Sequence, residues 1–366
     1  MSHSPAMAPQ RPLEMITQQS LYALLRVSLS VAHLPSPPTV MRVARRVGRT
    51  FGMMPFNRRR VANATERIGV ALPDLPAAKR RSLVLNSYEH LATLAAELTI
   101  APRLITEDTW PEVVELGDIA PAMRPLLSGR PLILLTGHCG NWEILGYTLA
   151  MLGYRMHVLY RPLDLRPADQ WVRQTRSRRG LILLDKFGAM HELPKLLAQG
   201  ESAGFVADQN AGDRGLHVPY FNRLASTYKS IALLAMQFEA PVLVGMARRL
   251  PPSPDHKAGV KYRIELADLF GPDDWADQPD PMFYITARYR RAIETMVRSA
   301  PEQYLWMHRI WKSRPRHERL NKPFPEPLKD KLRALPWMTE QELEALVERS
   351  DRDRAYLAEK GVEQLP

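Results

Sequence analysis

The sequence predicts an α/β fold: a central sheet sandwiched by helices, a helical N-terminal layer and an extra C-terminal helix. Three observations carry this. Up to about residue 108, apolar residues recur at helical spacing between proline-rich turns such as Leu34-Pro35-Ser36-Pro37-Pro38. From about residue 130, short apolar runs alternate with helix-like stretches. Near the end, Thr339-Glu340-Gln341-Glu342 forms a capping box that opens a helix reaching about Lys360.

Residues 1–12 read as disordered and carry no basic stretch followed by an apolar run, so no cleaved signal is visible. Leu13 to Leu34 is rich in apolar residues, among them Leu21, Leu24, Leu25 and Val27, but Glu14, Gln18, Gln19 and Arg26 interrupt it. It falls short of the roughly 18 unbroken apolar residues of a span, so it reads as an amphipathic or buried helix. Asn63 to Leu75 reads as a short helix and turn, and Leu83, Leu91, Leu94 and Leu98 make a helical stripe. Strands are expected at Leu132–Leu135, His157–Tyr160, Leu181–Leu184, Ala203–Ala207, Val242–Met246 and Tyr262–Leu266. Helices are expected near 142–152, 167–179, 188–199, 226–239 and 281–299. The organisation is therefore a disordered 1–12, a single domain over 13–320, and a proline-rich linker with a charged tail over 321–366. Glu348 and Arg352, four apart, suggest that the tail helix is exposed.

A chain of 366 residues with 45% hydrophobic content can bury a large core. One cysteine excludes an internal disulfide and fits a reducing compartment. The net charge is +11, and arginines cluster: Arg42, Arg45, Arg46 and Arg49, then Arg58 to Arg60, then Arg173, Arg176, Arg178 and Arg179. Such patches either form a solvated face or attract polyanions. No zinc-finger spacing or aromatic RNA-binding motif accompanies them, so no nucleic-acid partner is expected.

The chemistry concentrates in Thr136-Gly137-His138-Cys139-Gly140-Asn141-Trp142-Glu143, between an expected strand and an expected helix. Side chains there reach the end of a sheet, where α/β enzymes build sites. Neutral imidazole can take a proton from a hydroxyl, and a carboxylate on its other nitrogen fixes the tautomer. Residues five apart on one helix diverge by roughly 140°. His138 and Glu143 can therefore pair only if His138 sits on the turn and Glu143 in the first helical turn. Asn141 suits the N-cap. No second histidine completes a zinc motif, so no metal is expected. Cys139 has no third group placed to activate it. Arg161, after one strand, could hold an anion or oxyanion; Asp208, after another, could orient a substrate hydroxyl or pair with Arg161. Val218 to Thr227 reads as a surface loop leading into a helix. Pro301 to Lys312 reads as an aromatic-rich amphipathic helix with His308, Arg309 and Lys312 on its rim.

Taken in order, five blocks resemble the lipid A biosynthesis acyltransferase family of the glycerolipid acyltransferase superfamily. They are Asn63 with Leu72-Pro73-Asp74-Leu75; Gly137 to Glu143, the His-x4-acid motif; Tyr160-Arg161-Pro162; Asp208-Gln209 with Val218 to Phe221 and Thr227; and Glu294 with Pro301 to Arg309, Trp311 and Lys312. Together they span about residues 20 to 318. The chain departs from the family pattern at Ala207, Asn222 and Ile310.

The resemblance implies a mixed central sheet and membrane-associating N-terminal helices on the cytoplasmic face of the bacterial inner membrane, peripheral or monotopic. It implies an O-acyltransferase without cofactor. The donor would be an acyl-carrier-protein or coenzyme A thioester, and the acceptor a hydroxyl of a lipid A precursor on an anionic membrane surface. His138 would be the general base and Glu143 its orienting acid. Arg161 or the amides of Gly140 and Asn141 would stabilise the oxyanion, with Asp208, Gln209 and Arg309 in substrate binding. Other lipids could serve as acceptor: a lysophospholipid, a phosphatidylinositol mannoside or an aminolipid. A non-catalytic lipid-binding relative or a thioester hydrolase would share the same groove.

Overall fold

The computed structural model describes residues 12–32, 34–163, 165–177, 181–185, 188–253, 255–256 and 259–365. Apart from Pro12, the segment expected to be disordered lies outside the described residues, as do Arg178 and Arg179.

The strands are β1 (Val114–Leu116), β2 (Ile133–Thr136), β3 (Met156–Tyr160), β4 (Leu181–Asp185), β5 (Ser202–Val206), β6 (Leu216–Tyr220), β7 (Arg223–Thr227), β8 (Val242–Arg249) and β9 (Tyr262–Phe270). Seven of them form one mixed sheet in the order β1-β9-β8-β2-β5-β3-β4. Only β8 and β9 pair antiparallel; the other neighbours are parallel. β2 is buried along its whole length between β5 and β8, which is why Pro131 to Leu135 is a continuous apolar run rather than an alternating one. The β8–β9 ladder shifts register between Val244 and Gly245. A Cβ on Gly245 would lie 2.7 Å from the Glu265 carbonyl oxygen, so this bulge accepts only glycine.

The crossover helices lie where the apolar periodicity predicts them: Trp142–Met151, Arg166–Ser177, Ala189–Ala198 and Lys229–Gln237. The helix Pro281–Ser299 begins at Asp280, whose carboxylate accepts from the Phe283 amide at 2.9 Å. It buries Phe283, Ile285, Tyr289 and Ile293 in the main core. The N-terminal layer is Pro37–Met53, Arg58–Ala71 and Ala77–Leu104, which place Val61, Ala64, Ile68, Val84 and Tyr88 in that same core.

Two expectations are corrected. The segment 218–227 is a β-hairpin of β6 and β7, not a surface loop, and the next helix starts at Lys229 rather than 226. Val218 and Tyr220, two apart, and Leu224 across the turn bury into the core, a period-two pattern. The turn is Phe221-Asn222, with Phe221 at φ 55°, and the Phe221 amide donates to the Glu294 carboxylate. Secondly, the tail helix Glu340–Lys360 forms from its capping box as expected, but it is not an exposed rod. Leu343, Leu346 and Leu357 join the main core with Leu332, Leu335 and Phe324. Asp353 is buried and takes ion pairs from Arg223 of β7 at 2.8 Å and from Arg314 at 3.0 Å. The chain then returns so that Gln364 bridges Ser313.

Asp353→Ala leaves two buried guanidiniums with one carboxylate fewer, although Arg314 keeps Glu318. The expected loss is about 3 kcal/mol in urea unfolding. A loss well under 1 kcal/mol would show that the tail is not fastened there.

Candidate active site

β2 ends at Thr136, and the turn after it is pinned at four points. The Leu305 amide donates to the His138 carbonyl at 3.1 Å, and the Gly140 amide donates to the Gln303 carbonyl at 3.0 Å. Asn141 donates its amide to the Ala247 carbonyl at 2.7 Å, and Cys139 bridges Tyr304. Gly140 takes φ 61°, and a Cβ there would lie 2.5 Å from the Ala247 carbonyl oxygen, so the turn closes only around glycine. Asn141 is the N-cap, accepting from the Ile144 amide at 2.9 Å. Its side-chain amide donates to Glu97 at 2.6 Å, and Arg249 holds that carboxylate through two bonds of 2.6 Å.

The His138 ring stands between Trp142 and His308, with ring centroids 4.9 and 4.6 Å away. Its Nδ1 lies 2.6 Å from Oδ1 of Asp208. A carboxylate can only accept, so Nδ1 carries the proton, and in the neutral imidazole Nε2 holds the lone pair. Asp208 comes from the end of β5, the parallel neighbour of β2, and the Ala207 amide donates to the Thr136 carbonyl at 2.8 Å. Burial alone would push the Asp208 carboxyl up. The adjoining His138 ring, His308 and Arg290 together hold it well below the usual carboxylate range.

Glu143 is not the partner of His138. Arg176 of the helix Arg166–Ser177 holds its carboxylate, with Nε at 2.9 Å and Nη2 as a second donor. The cap at Asn141 sets Glu143 in the first helical turn, where it faces that neighbouring helix, while Asp208 reaches the imidazole across adjacent strand ends. The Arg176 guanidinium also lies over the Tyr160 ring, 5.0 Å from its centroid.

His138, Glu143, Arg161, Arg176 and Gln209 line a cavity of about 790 Å³. Deeper in, its walls are apolar, including Leu134, Leu145, Leu149, Met156, Val158 and Leu243. Arg161 and Gln209 are exposed there, and Asp208 pairs with His138 rather than with Arg161. The Gly140 and Asn141 amides are already committed to carbonyls, so they are not oxyanion donors. Arg309 is not in this group: its guanidinium donates to the Leu365 carbonyl of the tail at 2.7 Å. Cys139 is buried, and its thiol is pushed up by burial and then by Asp208, so it is no nucleophile.

His308 and Arg290 escaped the site assignment from sequence. His308 lies in the block 301–312, which reads as a core helix but forms only the short 3-10 turn Pro301–Gln303 followed by irregular turns. Arg290 lies among Arg288 and Arg291, like any charged helix face. His138, Asp208 and His308 each place one ligand atom within 4.8 Å of the others. The buried Arg290 guanidinium behind Asp208 opposes a dication there, and within the trio His138 bonds Asp208 while His308 meets the His138 ring edge to face.

The chain is an acyltransferase, an enzyme that transfers acyl groups, as its family match and its named relatives show. More narrowly, residues 10–313 match the family described as Bacterial lipid A biosynthesis acyltransferase, and the chain belongs to that family. It is similar to the Lipid A biosynthesis palmitoleoyltransferase of Escherichia coli (strain K12), 26% identical over 279 residues, 74% of this chain and 85% of that protein. It is equally similar to the Lipid A biosynthesis lauroyltransferase of the same organism, 26% identical over 295 residues, 78% of this chain and 89% of the relative. A Lipid A biosynthesis acyltransferase of Shigella flexneri is 26% identical over 279 residues, 74% and 85% of the two chains.

Burial, and then His138, push His308 down to about 4 from an ordinary 6.5. Between these values the unfolded chain binds the proton and the folded chain does not. Stability is therefore complete above pH 6.5 and falls as the pH drops towards 4. His308→Gln should make the slope of unfolding free energy against pH shallower by about 1.4 kcal/mol per pH unit in this window. His217 and His317, also pushed down to about 4 by burial, are untouched by the substitution. An unchanged slope in urea unfolding between pH 4.5 and 6 would mean that His308 is not held neutral.

Proposed function

We propose that the protein moves a fatty acyl chain from an acyl-carrier-protein or coenzyme A thioester to a hydroxyl of a lipid A precursor. His138 is the general base, and Asp208, not Glu143, orients it. Nε2 takes the acceptor proton, the oxygen attacks the thioester carbonyl, and the tetrahedral intermediate expels a thiolate that recovers the proton from His138. No acyl-enzyme forms. Arg161 and the Gln209 amide, exposed in the cavity, are the candidates for the developing oxyanion.

The observation that carries this reading is the His138–Asp208 bond of 2.6 Å opening onto a mostly apolar cavity of about 790 Å³. That volume lies in the range, roughly 300–1,000 Å³, that encloses whole ligands. The lipid A acceptor is supported by the family and by the names of the relatives.

The site works at the cytoplasmic face of the bacterial inner membrane, as a peripheral or monotopic enzyme. Among the described residues no helix is long and apolar enough to cross a membrane. The helix Pro37–Met53 and the turn after it expose Val43, Val47, Phe51, Met54 and Phe56. Arg42, Arg46, Arg58, Arg59 and Arg60 are exposed beside them. An apolar stripe rimmed by arginines suits the headgroup region of an anionic leaflet. The first helix, Pro12–Ala32, adds exposed Leu21, Leu24 and Val27.

Incubation with acyl-carrier-protein thioesters and a panel of lipid acceptors, read by mass spectrometry, tests the reaction. Acylated lipid A precursor is expected. Acylation of only another lipid changes the acceptor, and free fatty acid without acceptor makes the protein a hydrolase. His138→Ala and Asp208→Asn should each cost roughly 10²–10⁴ in rate. Glu143→Ala should cost less than either; a loss equal to that of His138→Ala would return the orienting role to Glu143. Val47→Asp with Phe56→Asp should weaken flotation with anionic liposomes roughly tenfold or more, and unchanged flotation would remove this face from the membrane.

A further inference from the structure

Arg290 lies midway along the helix Pro281–Ser299 and is 0% exposed. A guanidinium in such a place ordinarily faces a carboxylate, because an unpaired buried charge is costly. Here its Cζ sits 3.7 Å from the centroid of the Tyr220 ring, and Nη1 donates to the Ala207 carbonyl at 3.1 Å. Nε and Nη2 have no hydrogen-bond partner. Ala207 is the residue before Asp208, itself fully buried with Oδ2 unpartnered. Two opposite charges thus lie buried close together without a direct bond.

We propose that Arg290 is a positioning residue: its buried charge, seated on Tyr220, keeps Asp208 a carboxylate and so keeps the His138 proton on Nδ1 and Nε2 free. The absence of direct contact is what makes the arrangement useful. A guanidinium bonded to both carboxylate oxygens would compete with His138 for Oδ1. A guanidinium stacked on an aromatic face stabilises the anion through space and leaves Oδ1 to the imidazole. The charged or titratable groups around Asp208 are His138 and Cys139 of the catalytic turn, Tyr220 of β6 and Tyr228 after β7. Arg290 comes from the long helix, and Tyr304 and His308 from the C-terminal block. The thiol and the phenols among them are pushed up and His308 is pushed down, so all these are neutral near pH 7. Arg290 is the permanent charge in the group.

The inference rests on His138 acting as the base, so the test reads the imidazole directly. Full-length protein labelled at histidine is titrated by NMR, with His138→Gln to assign the ring. In Arg290→Met, loss of the positive charge should move the His138 titration up by about one pH unit. Arg290→Lys keeps a charge but loses the planar stack, and its titration should stay at the wild-type position. A folded Arg290→Met protein whose His138 titrates as in wild type overturns the proposal, and so does a Lys variant that shifts as far as the Met variant. If Arg290→Met does not fold, Asp208→Asn is added; recovery of folding in the double variant supports charge compensation, and continued failure overturns it. An inactive wild type with the expected titrations would sink the acyl-transfer reading and leave this one standing.

Discussion

A carboxylate without access to water is the constraint that the rest of the structure serves. Asp208 is fully buried and stays ionised, and an uncompensated charge in that position would cost several kcal/mol. The groups that surround it come from distant stretches of chain: His138 after β2 bonds it, Arg290 from the long helix supplies the opposing charge, and His308 from the C-terminal block walls the imidazole. Each is fixed in its turn. Gln303, Leu305 and Ala247 peg the turn after β2, and Tyr220 of the hairpin seats Arg290. The fold is therefore not a frame onto which a site was added. The C-terminal block must lie against the turn after β2 for His138 to have both its wall and its carboxylate.

The strand and helix alternation was legible because the sheet interior demands it. Every expected strand from Leu132 to Leu266 is present within a few residues of its expected bounds. Two kinds of element were not legible. β1 is three residues long, Val114–Leu116, too short for any period to register. β6 carries Pro219 and turns through Phe221 at positive φ, and both features argue against a strand when read locally. The tail helix displays its charges on most of its circumference, and only three leucines with Ser350 and Asp353 say which side turns inward. In the site, spacing along the chain offered Glu143 as the partner of His138. The actual partner lies on the adjacent strand, and no count of intervening residues reveals that neighbour; only the strand order β2-β5 does.

The family match ends at residue 313, yet the C-terminal residues beyond it are bound into the same machinery. Asp353 takes Arg314 and Arg223, so the tail clamps the C-terminal block to the hairpin that carries Tyr220. Gln364 bridges Ser313, and Leu365 accepts from Arg309, next in sequence to His308. Arg309, which the resemblance assigns to substrate binding, thus closes the chain over its own end.

The two acidic residues near His138 divide the electrostatic work by their surroundings. Asp208 is sealed, touches the imidazole and is compensated from behind. Glu143 sits at the cavity wall and is tied to Arg176, which lies against Tyr160 with Arg173 on the same ring. That ion pair neutralises one cation of the cavity wall and leaves Arg161, exposed in the same cavity, facing whatever enters. The His-x4-acid spacing then acquires a different physical meaning. Its histidine bonds Asp208 and its acid is tied to Arg176 on the cavity wall, and the short turn between them fixes the distance from one to the other.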